Sequence, residues 1–120
     1  AYKYQTEGQH ELALQDYTKV IQMKPDSADA YNNRANVYQS LGRQTEALEV
    51  YRKAIELKPD YADAYNNRAN LYHRMRQAEK ALSDYGQAIR LKSDYADAYY
   101  NRANLHQSEG RLEEALEDYG

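Results

Sequence analysis

Asn33, Asn67 and Asn101 recur at a spacing of 34 residues, and so do Asn36, Asn70 and Asn104. A side-chain amide offers both a donor and an acceptor, so two such rows can pair with the N–H and C=O groups of an extended peptide without reading its side chains. Tyr100 and His73 fall on the same polar face and would add selectivity. The plainer alternative is that asparagine is a solvated residue copied along by duplication. Asparagine is a mediocre helix former, however, and keeping it twice per period carries a small cost that favours a binding role.

Other chemistries find no footing. His10, His73 and His106 occupy three different phases of the 34-residue period and form no HExxH spacing, so no metal is expected. Cysteine is absent, which removes thiolate catalysis, disulfides and Cys-based zinc sites. No Ser-His-Asp grouping, Gly-rich phosphate loop or paired-carboxylate pocket can be assembled, and the chain reads as non-enzymatic, with no cofactor. A net charge of -3 with 29% charged residues points to neither nucleic acid nor an anionic membrane as a partner. No apolar run approaches the ~18 residues of a membrane span and no secretion signal opens the chain, so a cytoplasmic location is expected.

The asparagines must be carried by helices. The stretch Ala64-Tyr65-Asn66-Asn67-Arg68-Ala69-Asn70-Leu71-Tyr72 has copies at Ala30–Tyr38 and Ala98–His106. Within it Tyr65, Ala69 and Tyr72 fall at i, i+4 and i+7, with Leu71 and Met75 beside them, the stripe of an amphipathic helix over residues 62–75. Asp63, Asn66, Asn67, Asn70, His73 and Arg74 form its opposite, polar face. Pro25 and Pro59 block the preceding helix, and Asp26 and Asp60 are placed to cap the next one, Asp60 with Asp63 resembling a capping box. Gly8, Gly42 and Gly110 share one phase, where a left-handed residue would end a first helix. A second helix follows, with Ala47, Leu48, Tyr51, Ala54, Ile55 and Leu57 at helical spacing. Fourteen tyrosines without Phe or Trp suit a thin two-helix layer, from which a buried ring's hydroxyl can still reach water or a partner.

Self-similarity at such a period is the mark of a solenoid, in which each unit buries its apolar face only against its neighbours. The positions Tyr31, Ala35, Tyr38, Gly42, Ala47, Tyr51, Ala54 and Pro59 resemble the 34-residue pattern of the tetratricopeptide repeat family. The resemblance implies an all-α, right-handed α-α superhelix of antiparallel helix pairs. It covers the chain as a single array: a partial repeat at residues 1–27, full repeats at 28–61 and 62–95, and a partial one at 96–120. It further implies a non-catalytic scaffold whose first helices line a concave groove holding a protein or peptide segment. The paired asparagine rows resemble the ladder in the superhelix of O-linked N-acetylglucosamine transferases. A substrate-presenting arm of a larger enzyme is one alternative, and a self-assembling structural repeat another. Chaperone-binding members hold a C-terminal carboxylate with Lys, Asn, Asn, Lys and Arg. Here Asn36 and Asn67 match, but Asn32, Asp97 and Asn101 stand at the cationic positions, so such a clamp is not expected.

Departures from the pattern, and other irregularities of the repeats, carry expectations of their own. Arg34, Arg68 and Arg102 replace a leucine beside the tyrosines, so their stems should pack while the guanidinium groups reach Asp16, Asp84 and Asp118 on second helices; Val50 breaks that acidic row. Arg76 replaces the turn glycine and either bears strain or changes the turn. With Gly86 inside a helix, residues 62–95 look like the softest repeat. Both ends cut a repeat mid-unit, and the chain, opening at Ala1, is expected to be a piece of something longer. Apolar faces around Tyr4 and around Leu116 and Tyr119 suggest head-to-tail self-association.

Overall fold

The computed structural model describes the backbone of residues 2–110 and the side chains of residues 8–110. Among the described residues are six helices and no strand: α1 (Tyr2–Met23), α2 (Ala28–Ser40), α3 (Gln44–Leu57), α4 (Ala62–Arg74), α5 (Ala78–Leu91) and α6 (Ala96–Ser108). The chain divides into two compact units, Ala1–Pro59 holding α1 to α3 and Asp60–Gly120 holding α4 to α6. In the first, α2 packs against both α1 and α3. In the second, α5 packs against α4 and α6, and α4 also touches α6.

Large side chains meet small ones in both units. Tyr85 is buried with Ala69, Ala81 and Leu105, against which Tyr72, Ala78 and Leu82 pack. Farther along, Ala88, Tyr95 and Ala98 gather with Ala62, Tyr65 and Ile89. In the first unit Tyr51, Ala35, Ala47 and Ala54 are buried in the same way. Each alanine removes bulk beside a ring that covers about 150–250 Å², which lets the helices approach closely. The helix-period stripe predicts burial of Tyr65 and Tyr72, yet these are half-buried and Leu71 is the large side chain of α4 sealed from water, beside Ala64 and Ala69. The tyrosines that go fully inside are those of the second helices, Tyr51 and Tyr85, because their hydroxyls find amide partners there.

The turns between paired helices share one hydrogen-bond pattern. Arg43 N–H donates to Tyr38 C=O at 2.9 Å and Gly42 N–H to Gln39 C=O at 3.0 Å; Gln77 to Tyr72 and Arg76 to His73 repeat it at 2.9 and 3.1 Å. These are the two bonds of a Schellman motif, whose C′ residue must be left-handed. Gly42 takes φ 78° and Gly110 φ 79°, and Arg76 is driven to φ 61°. The second turn therefore keeps its geometry and bears the strain.

Two expectations are corrected. Gly8 does not end a helix: α1 runs through it from Tyr2 to Met23. Continuing the i→i−4 ladder through Gly8 keeps its backbone groups paired, which outweighs glycine's modest helix penalty. Nor do Asp26 and Asp60 cap. Ser27 is the N-cap of α2, accepting from Ala30 N–H at 3.3 Å, and Tyr61 holds that place on α4 with no side-chain cap, its ring buried instead. The faces expected around Tyr4, Leu116 and Tyr119 lie outside the described side chains.

Candidate functional site

The row Asn36, Asn70 is tied to the second helices. Tyr51 Oη donates to Asn36 Oδ1, and Tyr85 Oη donates to Asn70 Oδ1. Gln39 Nε2 adds a bond to Tyr51 Oη at 2.9 Å. Each bond engages only the carbonyl end of the asparagine. Burial pushes the ionisation of the Tyr85 hydroxyl well above the ordinary tyrosine range, so the hydroxyl stays a donor. The sequence carries a signal for this pairing: Asn and Tyr stand fifteen residues apart in 36/51 and again in 70/85.

On the polar face of the first helices, Asn32 and Asn66 are buried at 5% exposure rather than lining open surface as periodicity suggests. Asn66 is enclosed because Tyr95 and α6 close over it. Asn101 Nδ2 donates to Asn66 Oδ1 at 3.3 Å, and Asn66 also hydrogen-bonds the Tyr95 hydroxyl. That hydroxyl is held protonated to unusually high pH, first by burial and then by its bond to the Asp63 carboxylate. Two turns farther along α4, His73 Nε2 lies 3.2 Å from Ser108 Oγ. Ser108 Oγ gives its own hydrogen to the Leu105 carbonyl at 3.0 Å, so the imidazole must be the donor in that contact, through Nε2–H. Between these two cross-links α4 and α6 run side by side, bearing half-buried Asn67, Asn70 and Asn104. Tyr100 on α6, at the phase of Asn66, is 60% exposed. In the first unit, α2 carries Asn33 exposed and Asn36 half-buried.

Of the three expected acids Asp84 takes its arginine, whereas Asp16 is exposed with no arginine on it among the described residues. Arg68 Nε and Nη2 reach Asp84 Oδ2 and Oδ1 at 2.7 and 2.8 Å, a bidentate pair, while the guanidinium carbon sits 5.5 and 5.9 Å from the Tyr65 and Tyr72 rings. Burial by itself would lower the Arg68 pKa; the bond to Asp84 and its charge outweigh that and raise it. Arg34 faces Val50 instead. It turns to Tyr38, donating to the hydroxyl at 3.0 Å with its guanidinium 5.4 Å from the ring, and its Nε is buried without a partner. Asp118, expected opposite Arg102, lies outside the described residues. Among the described residues, no three His, Asp or Glu side chains gather as a metal site would require. No described helix is long and apolar enough to cross a membrane.

Comparison with known proteins places this helix-pair geometry. The family model for the TPR repeat matches residues 1–42, 36–75 and 77–110. The chain belongs to the tetratricopeptide repeat family. Its all-α architecture is the helix-pair solenoid of that family, whose members generally act as protein-interaction scaffolds. Among solved structures it is similar to MamA, at 27% identity and a TM-score of 0.81 over 98% of this chain and 68% of that one. It is also similar to TTC0263, a thermophilic TPR protein in Thermus thermophilus, at 27% identity and a TM-score of 0.86 over 93% of this chain and 63% of that one. The first TPR of Spaghetti (RPAP3) bound to the HSP90 peptide SRMEEVD shares 32% identity and a TM-score of 0.74, over 77% of this chain and 75% of that one. No curated protein is similar enough to serve as a relative.

Proposed function

We propose that this tetratricopeptide array is a non-catalytic scaffold that holds an extended or helical protein segment along the amide-bearing face of its first helices. Asn67, Asn70, Asn101 and Asn104 supply donors and acceptors on α4 and α6, His73 and Tyr100 add selectivity, and Asn33 and Asn36 offer the same groups on α2. The observation that carries the reading is the pairing of α4 with α6 through Asn101–Asn66 and His73–Ser108. These contacts, two helical turns or about 10 Å apart, bracket a continuous polar strip. The Spaghetti domain's bound peptide supports a peptide ligand in this family. The absence of cations at Asn32, Asp97 and Asn101 argues for capture through the ligand's backbone rather than a terminal carboxylate.

The test is a pulldown from the native source, repeated with Asn67→Ala/Asn70→Ala and with Tyr85→Phe. The double variant should lose the captured partner while keeping its helical circular dichroism. Tyr85→Phe breaks the same bond to Asn70 but leaves the amide, so it should retain capture. Equal capture by all three proteins would remove the amide face from consideration.

A further inference from the structure

The turn that joins α4 to α5 departs from its two counterparts in one direction. At equivalent phases the other turns have Gln39, Ser40 and Gly42, or Gln107, Ser108 and Gly110; this one has His73, Arg74 and Arg76. Each change brings in a cation or a group that can become one. Arg74 and Arg76 are exposed, and neither makes a hydrogen bond or ion pair among the described residues. Arg43, just past the glycine of the first turn, is by contrast paired with Glu11 at 2.8 Å. A cation in the last turn of α4 complements the negative end of the helix dipole, which accounts for Arg74. It does not account for Arg76, which lies beyond the helix and holds φ 61° where glycine stands in both other turns. A residue with a Cβ kept in that conformation costs stability, and such positions gather at binding sites.

His73, Arg74 and Arg76 line a solvent-open hollow of about 450 Å³ together with Ser108 and Glu109 at the end of α6. The hollow begins at the His73–Ser108 contact that closes the amide strip, so a segment lying along α4 and α6 runs into it. Glu109 is the single acid among the lining residues, and the two guanidinium groups leave the wall with net positive charge. We propose that the segment captured along the amide strip carries a run of aspartate or glutamate, whose side-chain carboxylates enter this hollow and pair with Arg74 and Arg76. A guanidinium donates two parallel N–H bonds to a carboxylate, which an amide or hydroxyl side chain on the segment could not receive as strongly. The asparagines read the backbone of the segment and the arginines its charge, which gives the strip a selectivity that amides alone do not supply. These carboxylates belong to side chains and meet the turn past the helix ends, away from Asn32, Asp97 and Asn101, where a terminal carboxylate would need cations that are missing.

Since this rests on capture along the amide strip, the test separates the two. The probes are two fluorescein-labelled, C-terminally amidated peptides: a run of Glu flanked on both sides by alternating Ala and Ser, and the same peptide with Gln for every Glu. Titrated with the full chain and followed by anisotropy, the Glu peptide should bind about tenfold more tightly than the Gln peptide. That advantage should disappear in Arg74→Gln/Arg76→Gly protein. Arg76→Gly alone should weaken the Glu peptide while raising the unfolding midpoint, an opposition that damage to the fold would not produce. Glu109→Gln should strengthen it. In Asn67→Ala/Asn70→Ala protein both peptides should weaken with their ratio unchanged. Glu-peptide binding that needs the arginines but not those asparagines would keep the acidic hollow and remove the strip. Equal binding of both peptides, lost in the asparagine variant, would keep the strip and overturn the acidic ligand. A preference for Glu that survives Arg74→Gln/Arg76→Gly, or no binding of either peptide up to about 1 mM, overturns the proposal as well.

Discussion

Helices α2 and α4 are identical over their first nine residues, Ala28–Asn36 and Ala62–Asn70, yet the arginine inside that stretch meets two different fates. Arg68 is held by both oxygens of Asp84. Arg34 folds onto Tyr38 with its Nε buried and unpaired. The difference lies sixteen residues away, where one second helix has Asp84 and the other Val50. The turns differ as well: Gly42 adopts the left-handed conformation freely, whereas Arg76 is forced into it. Each pair thus carries one defect that the other lacks. The first has an orphaned guanidinium nitrogen, the second a strained turn. Local identity of sequence secures the helix and its stripe, but the energetic state of a residue depends on what the facing helix brings.

The largest effect should come from removing the ion pair. Asp84→Ala leaves Arg68 partly buried and uncompensated and should destabilise the protein by about 2–3 kcal/mol, read from the urea midpoint. A loss close to zero would show that solvent, not Asp84, satisfies Arg68. The complement is Val50→Asp, which gives Arg34 the acid that Arg68 already has. It should stabilise by about 1–2 kcal/mol, and the gain should vanish in an Arg34→Met background. A gain that survives Arg34→Met would break the parallel between the two pairs.

Arg76→Gly removes the turn strain and should raise stability by about 1 kcal/mol; a lower unfolding midpoint would mean that the arginine side chain contributes more than its backbone costs. The smallest effect tests α1. A Cβ at Gly8 would meet no atom within 4 Å, so Gly8→Ala should stabilise by roughly 0.5–1 kcal/mol if the helix runs through that position. Destabilisation of similar size would place Gly8 in the left-handed turn that its phase suggests. Gly42→Ala, at φ 78°, is the matching control and should destabilise.

Much of this molecule was legible from the period. The helix over 62–75, the second helix with its alanine stripe and the glycine-terminated turn all follow from spacing, because each is a local choice repeated against an identical neighbour. The ion pair was readable too, since Arg68 and Asp84 keep the phase relation that Val50 interrupts. The caps and Gly8 were misread because capping and helix termination depend on what the chain folds back on, not on residue type alone. The amide face was half-readable. Periodicity places Asn33, Asn67 and Asn101 on one side of their helices, but it cannot say that Asn66, one residue over, is enclosed, or that Asn36 and Asn70 spend their carbonyl oxygens on tyrosines.

The amino-acid sequence alone determined the all-α class, the repeat family and the stripe along which helices meet, because backbone hydrogen bonds and apolar spacing are settled within a helix and its nearest copy. Tertiary structure decided which polar groups are consumed by packing and which stay at the surface. That allocation turns on distances between side chains from different helices, where a shift of an ångström or two separates a hydrogen bond from open solvent.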